Sequence, residues 1–338
     1  LATLIYLFFN IIGQNYSILF FLIFSISSYY SICMKEFIPK NIFQNIQVIS
    51  IIFLSYPILF TLDRSNMEIF IFFLLYVFIQ LYKNKKFNLA AIVLSLAVSL
   101  KIFPIVFASL FLSKKHIKPL LLTFVSTFLI SGLSFLLLLP TYKSSSILLL
   151  KYLDFYRDYH YMYEIGNTGL FFSHSLFGLI KVINFYFFTR PNETFSNLLP
   201  NIYTLVKAYS ELMFITSFAV FAYLKYIEKE LWKKITLLVI LIDLFALVSA
   251  DYKLIHFLLP LFLFINVKNK NKTDIIYIIL FGLLLIPKNY FILRKLPVIS
   301  LALIANPIIL LLLMLLIVLP GIYNYILESR KKKFTYLQ

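Results

Sequence analysis

The sequence predicts an all-α, polytopic membrane protein with about 11 membrane-crossing segments. Three observations support the membrane class. Hydrophobic residues fill 62% of the 338 positions and charged ones 13%, with 38 Phe and 24 Tyr. The mean hydropathy is +0.92, whereas soluble chains are roughly 45 to 50% apolar and about a quarter charged. Third, the 31 Lys and Arg outnumber the 14 Asp and Glu, and they gather in short gaps between apolar runs.

This composition excludes a cytosolic enzyme, a secreted domain and a disordered linker. One cysteine, Cys33, excludes an internal disulfide framework and a Cys-based zinc site. None of His116, His160, His174 and His256 sits three or four residues from another, so no metal site and no cofactor is expected.

A crossing helix needs about 20 apolar residues, with roughly 17 to 25 the usual range. Spans are expected near 17–34, 47–62, 67–82, 119–140, 205–226, 235–250, 255–268, 274–288 and 298–326. Residues 1–12 are too short to cross. Leu1 opens inside an apolar stretch without an initiator Met, a charged region or a cleavage site, so the natural N-terminus is expected upstream.

Residues 88–112 fit one span by length, yet Lys83, Lys85 and Lys86 precede them and Lys114, Lys115 and Lys118 follow. A single crossing would put one cluster on the wrong side. Pro104 removes a backbone donor in mid-stretch, so two short limbs in a helical hairpin, with Lys101 near the tip, satisfy both constraints. Lys225, Lys229, Lys233 and Lys234, then Lys268, Lys270 and Lys272, then the tail 327–338 with Arg330 to Lys333, fall on the same face. This is the positive-inside pattern, with a cytoplasmic C-terminus in the plasma (inner) membrane and no role for nucleic acid. The stretch 141–204, rich in Tyr and carrying Lys151, Asp154, Arg157 and Asp158, reads as outer-face amphipathic helices. No internal repeat is evident, and 1–338 is read as one membrane domain.

Ionisable groups at membrane depth are costly and point to function. Asp63, Arg64, Asn66 and Glu68 crowd a turn between two spans and suit a phosphate or a sugar. Lys101 offers a point charge for the phosphate of a lipid-linked substrate. Asp251, Lys253 and His256 form a third group, on the outer face, opposite the lysine clusters. Asn167 with Ser173, His174 and Ser175 is read as polar wall, because no acid partner for a triad is visible in sequence. Asp243 is expected in the middle of a span.

The run Leu62-Asp63-Arg64-Ser65-Asn66-Met67-Glu68, a helix, a basic turn, and Leu89 to Leu100 closing on Lys101-Ile102-Phe103-Pro104 resembles glycosyltransferase family 87. The family pattern is acidic-Arg-Gly-Asn-aliphatic-acidic, then an Ala/Gly-Leu run ending in Lys-x-x-Pro; Ser65 stands where Gly is usual. Ser249 to His256 leading into Leu258-Leu259-Pro260 resembles a later motif, without its common Ser-Pro and Trp.

The resemblance implies a GT-C fold and a relation to polyprenol-phosphate-mannose-dependent mannosyltransferases. It implies transfer of a hexose such as mannose from a polyprenyl-phosphate donor to a lipid or glycan acceptor among the membrane lipids of the cell envelope. It also implies that residues 1–12 are the outer-face juxtamembrane helix of the first loop and that the principal catalytic aspartate lies upstream of Leu1. Within the chain, Asp63 and Glu68 are then the catalytic candidates. Arg64, Asn66, Lys101, Asn167, Asp251, Lys253 and His256 are the substrate-binding ones. A polytopic transporter or flippase for a lipid-linked or small substrate, or a noncatalytic membrane subunit, are the rival readings.

Overall fold

The computed structural model describes residues 5, 13–38, 41–113, 116–142, 145–166, 168–188, 199–267, 274–293 and 299–335. Apart from Ile5, the expected helix 1–12 lies outside them, as does Asn167.

The helices in order are α1 Gln14–Phe37, α2 Ile42–Leu54, α3 Tyr56–Asp63, α4 Glu68–Lys83, α5 Phe87–Leu100, α6 Ile117–Tyr142, α7 Ser145–Tyr159, α8 Leu176–Phe188, α9 Leu199–Tyr226, α10 Leu231–Asp243, α11 Leu258–Ile265, α12 Asp274–Leu285 and α13 Leu301–Thr335. Tighter 3-10 segments occupy Phe103–Phe111 and Asp251–Phe257, and a π-helical turn spans His160–Ile165. The sequence reading lacks one small element: strands β1 Phe291–Leu293 and β2 Ile299–Ser300 pair antiparallel. The expected tail 327–338 continues α13 as far as Thr335.

Four described helices are long and apolar enough to cross a bilayer: Tyr16–Phe37, Ile117–Leu138, Ile202–Tyr226 and Leu301–Ser329. The bent pair Ile42–Ile51 and Tyr56–Asp63, with 51° between its halves, makes a fifth if taken as one span. About 11 were expected from the usual span length. The other expected segments fall on helices shorter than 18 residues, several with apolar residues buried in protein. The 16 residues of α4 reach about 24 Å, short of the roughly 30 Å hydrocarbon layer. In α4 and α10, Phe72, Phe78, Ile235 and Leu238 are fully buried. By contrast, α6 and α9 turn Phe128, Phe214 and Phe218 outward, as lipid-facing helices do. Hydropathy alone cannot separate these two ways of removing an apolar side chain from water.

The 88–112 region comprises α5 and the Phe103–Phe111 segment, joined through Lys101 in an extended conformation (φ −147°, ψ 144°). Pro104 lies at the start of the second limb, where its missing N–H costs nothing. Phe111, at the end of that limb, packs 6.4 Å from Phe87 at the start of α5. Phe87 also lies 4.1 Å from His116, just ahead of α6. The Lys101 end of α5 is therefore held next to the Glu68 end of α4, since the two helices are joined at their other ends by the turn after Lys83.

Candidate active site

The turn from α3 to α4 builds the first part of the site. Thr61 Oγ donates to Tyr252 O at 3.2 Å, tying α3 to the Asp251–Phe257 segment. The Ser65 and Asn66 amides then donate to Leu62 O and Thr61 O, both at 3.0 Å. This tight reversal puts Ser65 at φ 44°, in the left-handed region, which glycine enters without the Cβ clash that strains other residues. The glycine usual at this place in the resembling pattern thus has a backbone reason. Ser65→Gly should raise stability by about 1 kcal/mol; thermal unfolding in detergent measures it, and an unchanged or lower midpoint would contradict the strain.

Asn66 Oδ1 accepts from the amide of Glu68, the first residue of α4, at 3.1 Å. Glu68 is fully buried at the positive end of the helix dipole. Its two oxygens have separate partners: Lys101 Nζ donates to Oε1 at 2.7 Å, and His256 Nε2 lies 2.9 Å from Oε2. Lys101 also sits 5.7 Å from the Tyr252 ring, and Lys253 lies 5.0 Å from the Phe103 ring. His256 packs edge-on to Phe103 at 5.7 Å. Three of the expected polar groups, 62–68, 99–104 and 249–256, therefore meet.

Asp251 is fully buried as well, and its partners come from three separate elements. Tyr56 OH donates to Oδ2 at 3.4 Å, Asn306 Nδ2 of α13 donates to Oδ1 at 3.3 Å, and His174 Nδ1 lies 3.4 Å from Oδ1. On its other side His174 Nε2 is 2.9 Å from Ser249 Oγ. An isolated β-bridge between Ser173 and Ala250 and the bond from the His174 amide to Ser249 O at 3.2 Å hold the two segments together. The sequence reading of His174 as polar wall without an acid partner is corrected here: the acid is Asp251, 77 positions away.

A cavity of about 620 Å³ opens beside these clusters. Its walls include Phe60, Arg64 and Asn66 from the α3–α4 region, Tyr159, Tyr163 and Thr168 from the central stretch, Ser173 and Lys181 around α8, and Val248, Ser249 and Tyr252. Of the candidate residues named from sequence, Arg64 and Asn66 are in this wall. Glu68, Lys101 and His256 form their cluster outside the described lining, with Tyr252 reaching both. Asp251, though buried, reaches the lining through His174 and Ser249, and Lys253 donates to Val248 O at 3.3 Å. Asp63 is exposed on the last turn of α3.

Arg64 lies against two neighbouring rings, 4.8 Å from the centroid of Phe60 and 5.1 Å from that of Phe172, which are themselves 5.1 Å apart. It takes part in none of the ion pairs among the described residues. A guanidinium stacked on aromatic faces keeps its donors for another partner, which suits an anionic group entering the cavity.

Lys181 was missed in the sequence, although a lone lysine inside an apolar run was the available signal. Its ammonium donates to the carbonyls of Tyr163, Glu164 and Gly166 at 3.0, 3.3 and 3.0 Å, holding the π-turn against α8. Burial pushes its pKa down from 10.5 to about 8, partly offset by Glu164, and burial pushes Lys288 down to about 8 as well. Because the unfolded lysine binds its proton more tightly, stability should rise with pH between about 8 and 10.5. Lys181→Met should flatten part of that slope in thermal unfolding; an unchanged slope would remove Lys181 from it.

Asp243 is the last residue of α10 rather than mid-span, and both its oxygens are buried without a hydrogen-bond partner. Among the described residues, no group of three or more His, Cys, Asp or Glu side chains is placed to hold a metal ion.

No curated protein and no solved structure matches the chain. The model of glycosyltransferase family 87 matches residues 43–250, more than half of the sequence, and takes in the Arg64 turn, Lys101, His174 and Ser249. On that match, with its helices long and apolar enough to cross a bilayer, the chain is a membrane protein that belongs to glycosyltransferase family 87.

Proposed function

We propose that the protein transfers a hexose such as mannose from a polyprenyl-phosphate donor to a lipid or glycan acceptor at the outer face of the plasma membrane. The observation that carries this reading is Arg64: a cation without a carboxylate partner among the described residues, set on aromatic faces in the wall of a 620 Å³ cavity. Such a site fits a sugar phosphate, with the rings of Phe60, Tyr163 and Tyr252 available to the sugar. The donor's lipid tail accounts for a site at the end of a helix bundle that crosses a bilayer.

The reaction is an inverting displacement of GT-C type. The acceptor oxygen forms a bond to the anomeric carbon as the bond to the donor phosphate breaks, and the electron pair leaves with the polyprenyl phosphate. That leaving group needs positive charge more than a general acid. Arg64 supplies it, and Lys101, steered by Glu68, adds to the local field. Asn66, Lys253 and His256 shape the same region, and Asn167 is assigned to substrate binding from sequence alone. Among the two carboxylate candidates, Glu68 has one oxygen engaged by Lys101 and the other by His256, and serves to orient them. Asp63 is exposed and takes part in none of the ion pairs among the described residues.

The lysine clusters face the cytoplasm with the C-terminus. The contacts from Phe87 to Phe111 and His116 support a doubling-back at Lys101, because they set the flanks of the 88–112 region side by side. Purified protein in lipid nanodiscs, given radiolabelled polyprenyl-phosphate mannose or glucose with membrane lipids and glycans as acceptors, should yield a labelled product. Nucleotide sugars should not replace the donor. Absence of transfer from every lipid-linked donor, with movement of the donor across liposomes, would overturn this reading in favour of a flippase.

A further inference from the structure

We propose that the basic hollow where α5 and α6 begin binds the phosphate headgroup of an anionic phospholipid, in the leaflet on the lysine-rich side of the membrane. The site lies at the other end of α5 from Lys101, roughly 20 Å away along its 14 residues, and is separate from the site of sugar transfer proposed above.

The hollow has a volume of about 410 Å³, Lys85, Lys86, Lys118 and His116 stand in its wall, and its described lining holds no carboxylate. The three lysines are exposed and enter none of the ion pairs among the described residues. Lys229 and Lys233, which the sequence puts on the same face, are paired instead, with Glu328 at 3.8 Å and with Glu230 at 2.8 Å. The helices add to the charge. Ser95 Oγ donates to Thr123 O at 3.0 Å and Ser131 Oγ to Ser99 Oγ at 3.3 Å, so α5 and α6 run side by side in the same direction. Phe87 opens α5 4.1 Å from His116, just ahead of α6, so both helices start at the hollow. Both positive dipole ends therefore meet there, and neither first turn has an acidic residue to offset them. The first amides of each helix lack intrahelical acceptors and suit an oxyanion. The positive-inside pattern accounts for lysines on this face, but not for two parallel helix starts converging on lysines that have no carboxylate partner.

What lies beside the hollow favours a lipid over a soluble anion. Residues Ile117–Leu138 of α6 are long and apolar enough to cross a bilayer, so the start of that helix stands at headgroup depth. Leu89, itself in the wall of the hollow, is exposed and leads along α5 to exposed Ile92, while Leu121 and Val125 are exposed on the first turns of α6. These side chains give acyl chains an apolar track that begins where the charge ends. A basic pocket between helices at the membrane face suits an anionic headgroup, because each ammonium near the surface adds attraction. Here the lysines supply point charges and the helix amides supply directed hydrogen bonds to the phosphodiester oxygens.

Two measurements test the site. In the first, the protein in a neutral detergent is titrated with phosphatidylglycerol, phosphatidylcholine or soluble glycerol 3-phosphate, and the bound molecules are counted by native mass spectrometry. Phosphatidylglycerol should bind and raise the thermal midpoint, and the other two should bind more weakly. The triple variant Lys85→Gln, Lys86→Gln, Lys118→Gln should weaken phosphatidylglycerol binding by roughly 10²-fold, about fivefold for each lysine, whereas Lys229→Gln with Lys233→Gln should change it by less than about twofold. In the second, a phosphatidylglycerol carrying a diazirine on its acyl chain is photolysed with the unmodified protein, which needs no variant to fold. Crosslinks should fall on the peptides that carry Leu89, Ile92, Leu121 or Val125. The lipid site is overturned if the triple variant binds phosphatidylglycerol within about twofold of the unmodified protein, or if the crosslinks fall only elsewhere. Glycerol 3-phosphate binding as tightly as phosphatidylglycerol would also overturn it, making the hollow a site for a soluble anion.

Discussion

Glu68→Ala should cost about 3 to 5 kcal/mol of stability, the range seen when one partner of a buried ion pair is removed. The side chain is fully buried and holds Lys101 at 2.7 Å and His256 at 2.9 Å, so its loss strands two groups at once. It also releases the Asp251–Phe257 segment from the start of α4. Folding yield and the thermal midpoint in detergent should both fall sharply. Glu68→Gln, which keeps the shape and one acceptor, should fall less. If Glu68→Ala folds and unfolds as the unmodified protein does, the cluster is not a structural anchor and its burial has another explanation. Lys101→Ala removes the more exposed partner of the same pair, with His256 still bound to the carboxylate. It should therefore destabilise less than Glu68→Ala.

Arg64→Ala should leave folding nearly unchanged and reduce sugar transfer about 10²- to 10³-fold, the scale for losing one donor aimed at developing negative charge. Arg64 is exposed and pairs with no carboxylate among the described residues, so its removal strands nothing. Arg64→Lys should rescue poorly, because an ammonium lacks the planar surface that packs against Phe60 and Phe172 and the fork that grips a phosphate. The steady-state rate with a saturating polyprenyl-phosphate donor is the measurement. Equal loss in kcat and kcat/KM would place the interaction in the transition state, whereas a pure rise in KM would assign Arg64 to donor binding alone. Turnover within about threefold of the unmodified enzyme would take the phosphate away from Arg64 and leave Lys101 and Lys181 as the nearby cations.

These two residues are four positions apart, yet they differ in how far sequence could read them. Arg64 and Lys101 stand in short local patterns, the acidic-Arg-Ser-Asn turn and the Lys-x-x-Pro ending, and such patterns reveal the family. The roles divide differently once partners are visible. Lys101 was read as a phosphate ligand, but it is bound to Glu68. Glu68 was read as a possible base, but both its oxygens are occupied. His174 was set aside for want of an acid, and Asp251 supplies one from a different part of the chain. Lys181 and Asn306 drew no notice, since each is a lone polar residue in an apolar run.

By itself the sequence determined the membrane class, the helical character and the family, because hydropathy, helix period and short motifs are properties of neighbouring residues. It also located the break at Lys101, where the proline constrains its own backbone. Only the tertiary structure decided which apolar runs are buried in protein and which turn their side chains outward. It alone decided which charges pair, joining Glu68 to His256 across 188 positions and Asp251 to His174 across 77. The physical reason is one of range: transfer of an apolar side chain out of water is favourable wherever it goes, so composition predicts that it is buried but not by what. A hydrogen bond or an ion pair exists only within a few ångströms, and that separation is set by how distant segments pack.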